Sequence, residues 1–307
     1  MHVLNLLKGL YELSDSIGNT AGLHPLSSPL SIEKQHEGGH LPVVVWHGMG
    51  DYYNSESISL VNETLHKYIP DLEFYSIYIK EDSRQDQKAS IVGDCMTQIQ
   101  GVCEQLQNRE ELKQGFNALG FSQGGLFLRA AQEICDLPIN NLITFGSPHN
   151  GFTDLPPCDD WLCQKRNEFL KGRLYDPRIQ NSMVQAQYYR DIYNFDDYIV
   201  GSNFLKFVNN EFVRDSEYAD NLNKLNRLVL VMFSKDRTLV PKESAWYFDT
   251  DPDTNEAIPY NLTFAYKQNL VGLQTLDLEH KLDFITIDGE HMEFSEEDLQ
   301  KIASKYL

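Results

Sequence analysis

The first chemical signal in the chain is a serine set among glycines, Gly120-Phe121-Ser122-Gln123-Gly124. A serine hydroxyl is a weak nucleophile until a base takes its proton and a third group orients that base. Between a strand and a helix, Gly-x-Ser-x-Gly makes a tight, strained turn that lifts the hydroxyl clear of the sheet end. The glycines remove Cβ atoms that would clash there. The spacing predicts a strand over 116–121 and a helix over 124–133, with Leu126, Phe127, Ala130 and Ala131 facing inward. With such a turn the partners follow in the order serine, acid, histidine. Asp236, just after the apolar run 229–233, takes the acid's place, and His291, just past 283–287, takes the histidine's. The other candidates fit less well. His280 precedes the last strand, His149 comes before any acid, His47 lies in the first turn, and Asp288 is close to His291 in sequence. The chemistry predicted is acyl transfer through an acyl-serine.

Acyl transfer also needs two backbone N–H donors for the oxyanion of the tetrahedral intermediate. Gln123, directly after the serine, supplies one. The other belongs to the turn His47-Gly48-Met49-Gly50, where Met49 has a glycine on each side.

Positioning these groups takes a sheet. The run 41–46 is β-branched and apolar, as in a buried parallel strand, and further strands are expected at 72–79, 141–145, 227–233 and 283–287. A helical stripe of Ile91, Cys95, Ile99, Val102 and Leu106 predicts a helix over 91–106, and 296–306 reads as a closing amphipathic helix. Alternating strands and helices mean βαβ units, hence an α/β-hydrolase fold with a mainly parallel sheet. Residues 151–226 are aromatic and polar without a strong strand, the expected cap insertion between the sixth and seventh strands of that fold. Residues 1–39 read as a leader or linker and 40–307 as the catalytic domain. An apolar groove is expected between sheet and cap, drawing on Met183, Phe204, Phe207 and Phe212, although cap aromatics more often form a small core of their own.

The 307 residues are 41% hydrophobic and 23% charged, with a formal net charge of −19, which argues against nucleic acid as a partner. No apolar run is long enough for a transmembrane helix. Five cysteines allow two bridges and a spare thiol. Sequons at Asn62 and Asn261 would accept glycans in the secretory pathway.

Trp46-His47-Gly48-Met49-Gly50-Asp51, Gly120 to Gly125 followed by Phe127-Leu128-Arg129-Ala130, Val184-Gln185-Ala186-Gln187-Tyr188, Phe204-Leu205 and Asn209-Asn210-Glu211 together resemble the palmitoyl-protein thioesterases. The likeness covers about 41–307. It implies a triad of Ser122, Asp236 and His291, oxyanion donors at Met49 and Gln123, and neither metal nor organic cofactor. It further implies disulfides Cys103–Cys135 and Cys158–Cys163, leaving Cys95 as a free buried thiol. Substrates would be S-acylated proteins or peptides, the product a long-chain fatty acid, and the setting a lysosome, vacuole or other secretory compartment. Tyr52-Tyr53 departs from the pattern, since vertebrate members carry adjacent cysteines there. An acyl-CoA thioesterase or a carboxylester lipase would use the same machinery, and a non-catalytic lipid-binding protein is the reading from another class.

Overall fold

From Val43 onward the chain alternates strand and helix, as its β-branched runs and capping residues require. A computed structural model describes residues 39–155, 165, 168 and 171–307. Six strands form one sheet: β1 (Val43–Trp46), β2 (Phe74–Ser76), β3 (Phe116–Phe121), β4 (Ile139–Phe145), β5 (Arg227–Phe233) and β6 (Leu282–Ile287). Their order is β2-β1-β3-β4-β5-β6, and every neighbouring pair is parallel. The expected α/β-hydrolase architecture is therefore present. β1 and β3 are buried along their whole length, as parallel strands covered on both faces must be.

Successive side chains of a strand point to opposite faces, so the sheet separates two cores. On one face, Val43, Val45, Leu119, Ile143 and Val229 pack against helices α1 (Glu56–Tyr68) and α5 (Glu296–Tyr306). On the other, Val44, Ala118, Leu142 and Leu230 meet α3 (Cys95–Gln107) and α4 (Gln123–Cys135). Each fully buried Val, Leu, Ile or Phe contributes roughly 1.5–3 kcal/mol.

The caps explain where these helices begin. Ser295 and Asp298 form a reciprocal capping box at the start of α5. Asp94 accepts from Thr97 N–H and opens α3 at Cys95, four residues later than the first residue of its apolar stripe implied. Ile91 and Gly93 bond instead to a distant segment, with Val184 N–H donating to Ile91 O and Gly93 N–H to Ser182 O. Helix α2 (Ser83–Ala89) is short and capped by Asp82. Cys103 and Cys135 are joined as a disulfide between α3 and the end of α4, and Cys95 is free and buried. Cys158 and Cys163 lie outside the described residues, as does the leader apart from Gly39.

Between β4 and β5 the chain carries short helices at Phe195–Gly201, Leu205–Val208 and Ser216–Leu222, and no sheet strand among the described residues. This is where the insertion was expected, but the strand count differs. The described sheet has six strands, so the segment follows the fourth and precedes the fifth, not the sixth and seventh. Arg129 of α4, fully buried, ties it down by donating to Val208 O, Asn209 Oδ1 and His149 O. No helix among the described residues is long and apolar enough to cross a membrane.

Candidate active site

Ser122 stands at the junction of β3 and α4 with φ 52° and ψ −119°, a strained turn for a residue with a side chain. The surrounding glycines are required sterically. A Cβ at Gly120 would overlap the backbone of Gly125, and one at Gly124 would overlap the carbonyls of Trp46 and His47. Backbone therefore packs on backbone, and the hydroxyl is pushed out beyond the sheet.

Two loops bring its partners. After β5, Ser234 N–H donates to Ile287 O and Lys235 N–H to Gly289 O, so the β5 and β6 loops run side by side. Asp236 is presented from the first, its carboxylate held by the N–H groups of Thr238 at 2.8 Å and Leu239 at 3.0 Å. His291 comes from the second. Its Nδ1 lies 2.6 Å from Asp236 Oδ2, and its Nε2 lies 2.9 Å from Ser122 Oγ. A carboxylate only accepts, so Nδ1 carries the proton and Nε2 of the neutral ring is left to accept from the serine hydroxyl. The Asp236 side chain is almost completely buried and that of His291 slightly exposed.

The rivals are occupied elsewhere. Asp288 accepts from Ser234 Oγ and Lys235 Nζ, which hold its carboxyl below the usual range. His149 is sealed beside Thr144 and stacked on Tyr247, where burial and the Arg129 charge drive its pKa well down. His280 lies in the turn preceding β6.

The oxyanion candidates are gripped by side-chain bonds. Gln123 is buried; its amide nitrogen donates to Ser90 O, and its amide oxygen accepts from Tyr188 Oη and Gln185 Nε2. Met49 belongs to a turn fixed on the other side by Gly50 N–H donating to Ser90 Oγ and Gln87 Nε2 donating to Gly50 O. Behind this turn, Nδ1 of His47 is 2.9 Å from Gly48 O and Nε2 is 3.1 Å from Asp86 Oδ2. Both partners are acceptors, so the ring is held between them by whichever nitrogen carries a proton. Asp86 also accepts from the N–H groups of Tyr53, Ile79 and Lys80. Burial works to raise its pKa, but the bond and charge of His47 and these backbone donors outweigh it and hold the carboxyl below its ordinary value.

Two cavities meet at Ser122. One of about 480 Å³ lies between α1 and α5, with Ile58, Val61, Phe121, Phe294 and Leu299 in its walls. The other, of about 160 Å³, is lined by Gly146, Pro148, Phe152, Leu155, Tyr188 and Leu239. Met49 and His291 border both.

The family model described as palmitoyl protein thioesterase matches residues 42–291. The chain belongs to the palmitoyl-protein thioesterase family. It is 35% identical over 272 residues to palmitoyl-protein thioesterase 1 of Caenorhabditis elegans, covering 87% of this chain and 91% of that protein. Palmitoyl-protein thioesterase 3 of Dictyostelium discoideum is 31% identical, with 85% and 88% covered. The lysosomal thioesterase PPT2 of Mus musculus is 26% identical, with 82% of each chain covered. Among solved structures, acyl-protein thioesterase 2 of Zea mays superimposes with a TM-score of 0.39 at 14% identity, over 88% of this chain and 94% of that one.

The motifs of the thioesterase family that lie away from Ser122 have structural work to do. In 184–188, Gln185 and Tyr188 clamp Gln123, and Gln187 accepts from Cys95 N–H and donates to Gly93 O. Glu211 receives Arg190 and the Tyr198 hydroxyl.

One expectation is corrected. Met183, Phe204, Phe207 and Phe212 line neither cavity at Ser122. Phe204 is fully buried edge-on to Phe127, Phe207 packs edge-on to Phe212, and Met183 pairs with Val92. Phe204 is thus packed on α4, and Phe207 and Phe212 on each other, rather than on a groove at Ser122. Asp86 is the residue that sequence reasoning missed. It sits in a short polar helix, with no motif or periodicity to mark it.

Proposed function

We propose that the chain hydrolyses the thioester between a long-chain fatty acyl group and a protein or peptide cysteine, with Ser122, His291 and Asp236 as its triad. The observation that carries this is the relay from Ser122 Oγ to His291 Nε2 at 2.9 Å and from His291 Nδ1 to Asp236 Oδ2 at 2.6 Å. Ser122 Oγ attacks the thioester carbonyl as Nε2 takes its proton, and Asp236 stabilises the imidazolium. The N–H groups of Met49 and Gln123 receive the developing oxyanion. The C–S bond then breaks and the imidazolium returns its proton to the departing sulfur. A water deprotonated by His291 attacks the acyl-serine and frees the fatty acid, restoring the hydroxyl.

Membership of the thioesterase family supports a thioester over an oxygen ester. The disulfide and the name of the mouse relative support a lysosomal or other secretory setting. Of the two sequons, Asn261 is exposed in a turn and suits a glycan, whereas Asn62 is half-buried on α1 with Thr64 buried beside it.

The test is turnover of a palmitoyl-cysteine peptide, its oxygen-ester analogue and palmitoyl-CoA by the wild type and by Ser122→Ala. The expected result is fastest hydrolysis of the S-acyl peptide, abolished in the variant. Equal or faster turnover of palmitoyl-CoA or the oxygen ester would replace this reading with one of the rival hydrolases.

A further inference from the structure

We propose that the larger cavity, between α1 and α5, is a leaving-group pocket for an apolar side chain next to the acylated cysteine, with a basic residue just beyond it. The proposal rests on the thioesterase reading. A thioester has two arms, and two cavities open on the nucleophile from different sides. Proton delivery decides which arm enters which. When the C–S bond breaks, His291 Nε2 must hand its proton to sulfur, so the thiol arm lies against the His291 loop. The wall of the larger cavity continues from His291 through Met292, Phe294, Ser295 and Glu296. The smaller cavity shares His291 but takes nothing further from that loop, drawing instead on Gln185 and Tyr188, which hold Gln123, and on Leu239; it receives the first part of the acyl chain.

At about 480 Å³ the larger cavity is far roomier than a cysteine side chain needs, and it falls within the usual roughly 300–1,000 Å³ of a ligand site. Its walls are hydrocarbon from Ile58, Val61, Phe121, Phe294 and Leu299, which favour an apolar occupant. Its polar border is acidic. Asp51 accepts from Ser57 Oγ, and Glu296 is half-exposed and, among the described residues, paired with surface Lys67 alone. A surface pair of this kind contributes little and is easily exchanged. With a net charge of −19 the chain as a whole also draws cationic peptides toward it.

The experiment uses palmitoyl-cysteine peptides that differ only in the residue after cysteine (Leu or Gly) and in the next one (Lys or Glu), together with a palmitoyl thioester of a small thiol. Wild type is expected to prefer Leu over Gly by roughly ten-fold in kcat/KM, the scale of a filled apolar pocket, and to prefer Lys over Glu. Val61→Trp, which fills the cavity, should remove the Leu preference and penalise bulky thiol arms most, while the ranking of acyl chain lengths keeps its order. The surface change Glu296→Lys, which leaves the interior untouched, should cancel or invert the Lys preference. A Leu preference that survives Val61→Trp overturns the proposal. So does a shift of that variant toward shorter acyl chains, which would make the cavity the acyl site. Failure of the wild type to turn over any palmitoyl thioester would instead reject the thioesterase reading itself.

Discussion

His47 Nε2 stands 3.1 Å from Asp86 Oδ2, with both side chains sealed from solvent. The pair lies behind the turn that presents Met49 and links that turn to α2. Asp86 holds the stretch 47–53 at two points, through the His47 ring and the Tyr53 N–H.

Replacing Asp86 by Asn keeps the size but turns one acceptor into a donor among groups that all donate to it. Leaving buried donors unsatisfied in this way costs about 1–3 kcal/mol each. We expect kcat to fall about 10²-fold, the scale of a lost oxyanion donor, with KM nearly constant. Steady-state kinetics on a palmitoyl peptide measure both, and an unchanged kcat would separate this pair from the oxyanion turn.

Asp236→Asn tests the orienting role of the carboxylate. The amide preserves the shape of the site but favours the wrong tautomer of His291, so kcat should drop about 10³–10⁴-fold. Labelling of Ser122 by a fluorophosphonate should slow in parallel while the melting temperature moves little. Labelling at the wild-type rate would remove Asp236 from the triad.

Stability against pH should show two opposed contributions behind α4. His149 is held neutral by burial, so the unfolded chain binds its proton first, and this contribution to stability falls as pH drops below about 6.5. Glu133 is also buried, and despite Arg129 its carboxyl is pushed up to about 7. The folded state thus binds that proton first, and its contribution grows as pH falls from 7 toward the unfolded value near 4.3. Each is bounded by about 1.4 kcal/mol per pH unit. Wild-type melting should therefore vary little between pH 7 and 5. Glu133→Gln should make the protein lose stability with acid, and His149→Gln should make it gain. Thermal melts of the three proteins decide, and parallel slopes would refute the assignment.

The Cys103–Cys135 bridge closes a loop with a sequence separation of 32. Chain entropy gives such a closure about 3–4 kcal/mol. Reduction, or Cys103→Ala with Cys135→Ala, should lower the denaturation midpoint accordingly. Because the bridge ties α3 to the far end of α4, away from Ser122, kcat on the folded protein should hold. Denaturant titration with and without reductant measures the first, and kinetics under the same conditions the second.

What was legible in the sequence follows from the range of the interactions involved. β5 and α5 have the limits expected of them, because an apolar run and an amphipathic repeat are local signals. That Ser122, Asp236 and His291 come within hydrogen-bond reach was legible because each follows a strand of one parallel sheet. The start of α3 was misplaced because residues 91–93 bond to 182–184, a contact far away in sequence. The same limit applies to the cavities. Phe204 and Phe207 carry the same apolar signal whether they wall a groove or fill a core, and only the packing of α1 against α5 placed the larger cavity beside Val61. Asp86 was silent because its four donors arrive from three separate stretches of chain.

The glycine contacts around Ser122 also bear on how freely this stretch can vary. With the backbone of Gly120 against Gly125, and Gly124 against the end of β1, even a methyl group at those places has no room. Neutral drift is thereby barred from both sides of Ser122, and the end of β1 is drawn into the same restriction. A saturation library over 120–125 should return almost no functional replacements at these glycines. The pentapeptide thus works as a mechanical joint whose tolerance is less than one carbon atom.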